Sequence, residues 1–172
     1  GGGHCRPCGR HPQPAAAVVS PHVATVVATW FGAGLLPKAP GTWASVAALP
    51  PGLTLIWAGG PWLLALGVVL ISAAGVWASG AYATRVELDD PSQIVVDEVA
   101  GQWLALLPMA VVSWQAVAVA FVLFRIADIF KPWPASWADR ELDGGLGVMA
   151  DDWIAGIFAG LGLWLLQSGG VV

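Results

Sequence analysis

Formal charges are missing from four long windows of this 172-residue chain, residues 11–37, 39–84, 99–124 and 153–172. That spacing leaves few folds open. A bilayer span needs about 20 consecutive apolar residues, so 39–84 has room for two and 99–124 for one long or two short ones. With 57% hydrophobic and 10% charged residues and a mean hydropathy of +0.72, the composition lies outside that of ordinary soluble domains. It reads as an all-α protein, a compact multi-helix membrane bundle of about five or six helices. The 11 Trp residues suit a membrane-interface belt, and equally a dense helical core.

The net charge of −4 and the scattered cations Lys38, Arg85, Arg125, Lys131 and Arg140 give no basic surface, which excludes nucleic acid as the expected partner. Cys5 and Cys8 form a CxxC flanked by His4 and His11, but no Cys lies beyond Cys8 to complete a structural zinc site. Residues 1–20 therefore read as a disordered, Gly- and Pro-rich leader, and 21–170 as one helical domain. The start lacks Met and lacks the pattern of a signal peptide.

Ser20-Pro21 is an N-cap and N1 pair, predicting a helix to about Trp30 that Gly32-Ala33-Gly34 ends. After the loop Leu35 to Gly41, Thr42 is placed to cap a helix through Ala58, bent at Pro50-Pro51. Gly59-Gly60-Pro61 turns the chain into a third helix from Trp62 to Val86. Asp89-Asp90-Pro91-Ser92 closes that hairpin. Further helices are predicted over 93–107, 114–130 and 148–167, with Lys131-Pro132-Trp133-Pro134 a firm stop and one helical turn near Trp137 in the polar stretch that follows. Helices joined by short turns alternate in direction. Counting along the chain puts Lys38, 85–98, 125–131 and 140–152 on one side, and the uncharged turns 59–61 and 108–113 on the other. The charged end is cytoplasmic by the positive-inside rule.

On that end lies an element that occurs twice, Asp97-Glu98-Val99-Ala100-Gly101 and Asp152-Trp153-Ile154-Ala155-Gly156. Each Asp falls early in a predicted helix, with Ala and Gly at +3 and +4 on its own face. Small residues there let two helices pack closely and bring two carboxylates to one divalent ion. Glu98, Asp128 and Asp151 are further oxygen ligands or groups around it. An all-oxygen set suits Mg²⁺, which binds through one or two carboxylates plus substrate phosphate. A single Asp would be explained by the helix dipole; a repeated element plus Asp128, in a chain so poor in charge, favours the cation. Arg125, Asp128 and Lys131 are spaced to share a helical face, where cations suit a phosphate and where Arg125 and Asp128 can also form a local ion pair. The loop from Leu36 to Thr42 offers Lys38, a hydroxyl and free N–H groups as an anion seat, without Walker A spacing. Every His lies N-terminal to this region and no Cys follows residue 8. A phosphohistidine or phosphocysteine route therefore lacks its nucleophile, and metal-assisted attack by water remains.

Six strings in order resemble the phosphatidylglycerophosphatase A family, small bacterial phosphatases: Phe31-Gly32-Ala33-Gly34-Leu35; Pro40-Gly41-Thr42-Trp43-Ala44-Ser45; Ile94 to Gly101; Phe124-Arg125-Ile126-Ala127-Asp128 with Lys131-Pro132-Trp133-Pro134; Asp139-Arg140; and Gly144 to Met149 running into Asp151 to Gly156. The resemblance covers about 22–168. It implies Mg²⁺-dependent hydrolysis of a phospholipid, phosphatidylglycerophosphate, to phosphatidylglycerol and inorganic phosphate. That is the last step of phosphatidylglycerol synthesis at the bacterial inner membrane, with the active site facing the cytoplasm. It also implies that Asp97, Glu98, Asp128, Asp151 and Asp152 are metal-binding or catalytic, and that Thr42, Arg125, Lys131 and Arg140 contact phosphate. The alternatives are an ion-coupled transporter, which should bury its acids near the midplane, and a non-catalytic scaffold in lipid metabolism.

Overall fold

A computed structural model describes residues 21–87, 91–109 and 111–172. The Cys5/Cys8 leader, the Ser20 cap and Asp89-Asp90 lie outside the described residues. Within them the chain forms six α-helices: α1 (Pro21–Ala28), α2 (Pro40–Val86), α3 (Val96–Leu106), α4 (Trp114–Phe130), α5 (Ala135–Glu141) and α6 (Gly144–Ser168), with one 3₁₀ turn at Ala33–Leu35. Among the described residues there is no strand.

The 47 residues of α2 do not form one rod. Gly59 (φ −158°, ψ 19°) and Gly60 (φ 66°, ψ −164°) leave helical geometry, and the positive φ at Gly60 is one that only glycine adopts freely. The helix folds back there into arms 40–58 and 61–86. At a rise of about 1.5 Å per residue the arms are about 28 and 39 Å long, against a hydrocarbon core of about 30 Å. Trp103 of α3 fills the angle between them. Its Nε1 donates to the Ala48 carbonyl at 2.8 Å, and a Cβ at Gly52 or Gly67 would meet its ring at 2.9 or 3.2 Å. At Pro50-Pro51, where a bend was expected, the chain stays helical, and the only non-helical dihedrals in α2 are at the glycines. Proline's fixed φ is itself helical, so the chain passes through at the cost of two backbone hydrogen bonds.

Helix α3 is the hub. It packs mainly on α6 and α2, and Val99, Trp103 and Leu106 join Leu64, Phe124 and Leu163 in the main core. The close α3–α6 contact expected from the repeated Ala-Gly is present. A Cβ at Gly101 would lie 2.7 Å from the Asp152 carbonyl oxygen, and one at Gly156 would lie 2.9 Å from Gly101 Cα. Small residues thus let two backbones touch where the acids begin.

The expected single turn near Trp137 is a seven-residue helix, α5, and three boundaries differ from expectation. The helix at 40 begins with Pro40 at N1 and Ala39 as N-cap (φ 48°), so Thr42 lies inside it and does not cap it. Residues 93–95 stay out of α3 because tertiary contacts hold them: Val95 N donates to the Ala28 carbonyl at 2.9 Å, and Gln93 O presses on Gly34 where no side chain fits. Helix α6 starts at Gly144, one turn earlier than the glycines suggested. There Gly145 seats against the Val76 carbonyl of α2 and Gly147 against that of Leu142.

Two helices, Pro40–Val86 and Gly144–Ser168, are long and apolar enough to cross a membrane. Large apolar side chains face outward from them, including Val69, Leu70, Ile157 and Leu161, and Val122, Ile126 and Ile129 make a similar row on α4. Exposed Trp residues gather at both ends: Trp57, Trp62 and Trp114 beside the uncharged turns, Trp43, Trp133 and Trp137 at the charged end. With Trp77 exposed within the second arm of α2 and Trp164 near the end of α6, the distribution is compatible with an interfacial aromatic belt.

Candidate active site

The charged end contains a cleft of about 380 Å³. Its walls are the start of α2 (Pro40, Gly41), the lead into α3 (Ser92, Ile94), the first turn of α3 (Asp97, Glu98), the end of α4 (Asp128, Lys131), α5 (Asp139, Arg140) and the first turns of α6 (Asp151, Asp152). All five sequence-predicted carboxylates therefore meet in one cavity.

At its centre, ligand oxygens of Asp97, Glu98 and Asp152 all lie within 4.8 Å of one another. Asp97 Oδ1 and Glu98 Oε2 are buried with no hydrogen-bond partner. Buried oxygens left in this state are costly unless a cation completes them. Asp97 and Glu98 sit on short α3, outside the two candidate spans. Burial, then the charges of Glu98 and Asp152, push the Asp97 carboxyl well above the usual carboxylate range. Burial first, with Asp128 adding to it, pushes Glu98 up to about 7. Carboxylates crowded at this spacing either hold protons or share a positive ion.

The sequence offered Glu98 as a further oxygen ligand beside Asp97; its seat is made by a glycine. A Cβ at Gly41 would overlap Glu98 Oε1, so the carboxylate lies directly on the backbone that opens α2. One turn further, Ser45 Oγ donates to the Gly41 carbonyl at 2.8 Å and accepts from Arg125 Nη1 at 3.3 Å. The same Arg125 nitrogen pairs with Asp128 Oδ2 at 2.8 Å, both side chains being 15% exposed. Arg125 stands behind Asp128 and ties α4 to α2.

Lys131 ends α4 in a left-handed conformation (φ 43°). Its Nζ donates to Asp151 Oδ2 at 2.7 Å and also to Asp139. Burial opposes its charge, but the two carboxylates outweigh that effect and hold its pKa above the ordinary lysine value. Arg140 borders the cleft while its Nε donates to the Ser136 carbonyl at 2.8 Å. Thr42, Lys38 and Arg125 are not among the lining side chains, although Pro40 and Gly41 of the proposed anion loop are.

Asp139, Asp143 and Ser92 also line the cleft and were not singled out by the sequence. Asp139 adjoins Arg140 within one of the quoted strings, which was the available signal. Its contact with Lys131 depends on how the Pro-rich segment 132–134 turns. Seven carboxylates face two cations here, a balance that, once the acids are ionised, disfavours an anionic phosphate. A hard divalent cation at Asp97, Glu98 and Asp152 would reverse that, and the all-oxygen donor set fits one.

An acidic cleft edged by Lys131 and Arg140 at one end of an apolar bundle sets the class, an all-helical protein with its polar site at one end. Comparison with known proteins gives the particular family. The Phosphatidylglycerophosphatase A family description matches residues 26–167. The chain is 41% identical over 135 residues to Phosphatidylglycerophosphatase A of Escherichia coli, covering 78% of this chain and 77% of that protein. It is 35% identical over 147 residues to the protein of the same name in Haemophilus influenzae, covering 83% and 87%. A Bacteroides thetaiotaomicron protein provisionally named for phosphatidylinositol-3-phosphatase activity is 38% identical over 149 residues, covering 78% and 87%. No solved structure gives a significant match. The chain belongs to the phosphatidylglycerophosphatase A family and is a phosphatase.

Proposed function

We propose that this protein hydrolyses phosphatidylglycerophosphate to phosphatidylglycerol and inorganic phosphate in an Mg²⁺-dependent reaction, the last step of phosphatidylglycerol synthesis. The observation that carries this reading is the trio Asp97, Glu98 and Asp152, with two buried oxygens unpartnered, in a cleft bordered by Lys131 and Arg140. The names of the Escherichia coli and Haemophilus influenzae relatives supply the substrate.

Mg²⁺ held by Asp97, Glu98 and Asp152 would supply Lewis-acid neutralisation of the phosphate oxygens. Lys131 and Arg140 would draw the phosphate dianion to the same cavity and offset charge as it is transferred. Asp128 and Asp151 are the remaining carboxylates on these walls and are the candidates to take the proton of the attacking water. The water oxygen forms a bond to phosphorus, the bond from phosphorus to the glycerol oxygen breaks, and a proton passes to the departing alkoxide. Arg125 fixes Asp128, and Lys131 fixes Asp151, so both acids are held in place before substrate arrives.

A site at the headgroup level lets the lipid keep its acyl chains in the membrane during turnover. Assignment to the bacterial inner membrane with the cleft toward the cytoplasm rests on the positive-inside rule, since the cations from Lys38 to Arg140 all fall at the cleft end. An ion-coupled transporter would carry its acids near the midplane; here they gather at one end.

The test is phosphate release from phosphatidylglycerophosphate in detergent micelles, with Mg²⁺ or EDTA, using wild type and Asp152→Asn. Phosphatidylinositol 3-phosphate serves as the second substrate. Mg²⁺-dependent release that Asp152→Asn nearly abolishes is the expected outcome. Release that persists in EDTA or in the variant would remove the carboxylate trio from the reaction, and preference for the inositol lipid would reassign the substrate.

A further inference from the structure

We propose that an apolar groove between α4 and α6 seats one acyl chain of the lipid substrate and thereby sets how the phosphate enters the cleft. This inference rests on the lipid phosphatase reading. The groove is a shallow, open one of about 510 Å³, and no charged side chain lines it. Its floor is made by two small residues, Ala127 on α4 and Ala159 on α6, and its sides by Ile126, Phe130 and Phe158. Alanines at both floor positions keep the two helices close while leaving the space between the larger side chains open.

What points to the occupant is that groove and cleft are built on the same two turns of α4. Ala127 and Phe130 of the groove alternate along the chain with Asp128 and Lys131 of the cleft, and Pro132, the next residue, lines the groove again. A ligand spanning both carries a phosphate and an aliphatic chain on one molecule, which is the layout of a phospholipid. On α6 the acids at 151–152 precede Phe158 by about two turns, so the groove leads away from the charged end toward the apolar middle. From Leu123 to Phe130 it runs about 10 Å, about a third of the hydrocarbon core. That length suits the upper part of a chain and is short for a docked helix.

A chain moving from surrounding lipid into an apolar groove gains little hydrophobic free energy, because both environments are apolar. The groove acts by orientation: it holds the glycerol backbone in register so that the phosphate meets the carboxylates.

The experiment compares two substrates that share the reacting phosphate, long-chain phosphatidylglycerophosphate in micelles and its deacylated, water-soluble headgroup. Ala127→Phe fills the groove from its floor. Ile126→Ser replaces a wall residue that is 49% exposed, so its fold is not at risk. Val69→Phe, on the outward face of α2 and 64% exposed, is the control. The expected result is a fall of about tenfold in kcat/KM on the long-chain substrate relative to the headgroup for Ala127→Phe, a smaller fall in the same sense for Ile126→Ser, and none for Val69→Phe. Equal falls on both substrates would mean that the variants disturb the cleft, and no fall would mean that the groove holds only ambient lipid; either overturns the proposal. Wild type that releases phosphate from the headgroup but not from the lipid also overturns it. Wild type that releases phosphate from neither overturns the phosphatase reading itself.

Discussion

Gly41 and Glu98 illustrate how the site is set residue by residue. The carboxylate lies where a Cβ of residue 41 would be, so Gly41→Ala must displace it while leaving the helix intact. Mg²⁺ affinity measured by calorimetry should drop about tenfold, in the range for residues that position metal ligands, with the circular dichroism spectrum unchanged. Unaltered affinity would show that Glu98 is not a ligand. Arg125 is a positioning residue on the same reasoning. It bridges Ser45 and Asp128 from outside the cavity, and Arg125→Met should lower kcat about 10- to 100-fold with KM nearly constant. A rise in KM alone would instead place its guanidinium on the substrate. The sequence spacing allowed either role for Arg125; only the hydrogen bond to Ser45, 80 residues away in the chain, separates them.

Among the elements, the α3–α6 pair decides whether the acids meet. Their contact depends on Gly101 and Gly156, and a methyl group at Gly156 would run into the Gly101 backbone, which cannot rotate aside. Gly156→Ala should destabilise the fold by about 1–3 kcal/mol and weaken Mg²⁺ binding in parallel, because separating the helices separates Asp97 and Glu98 from Asp152. A thermal melt and a metal titration on the same sample check this; loss of stability with unchanged metal affinity would break the link. The twofold Asp-x-x-Ala-Gly element was legible in the sequence as two carboxylates with small residues one turn behind. The fold adds that the small residues of each copy pack against the other.

For the molecule as a whole, the acids stacked at one end make stability depend on pH and on cations. Glu98 titrates at about 7 in the folded protein against an ordinary value of 4.5, so without metal the folded state keeps a proton that the unfolded chain has released. Stability is then fully present below about 4.5 and declines as pH rises through about 7. Mg²⁺ binds the ionised form, so it should raise the melting temperature more at pH 8 than at pH 5. An equal increase at both pH values would indicate a cation site elsewhere.

The sequence by itself determined the helical class, the turn at Gly59-Gly60 and the five carboxylates at one end, because charge-free windows and glycine or proline breaks act locally and have few alternatives. The tertiary structure decided that Lys38 and Thr42 stand outside the cleft while Asp139 stands within it, and that residues 93–95 stay out of α3. Those outcomes depend on contacts between segments distant in the chain, such as Val95 with Ala28 and Gly34 with Gln93, which no local periodicity encodes.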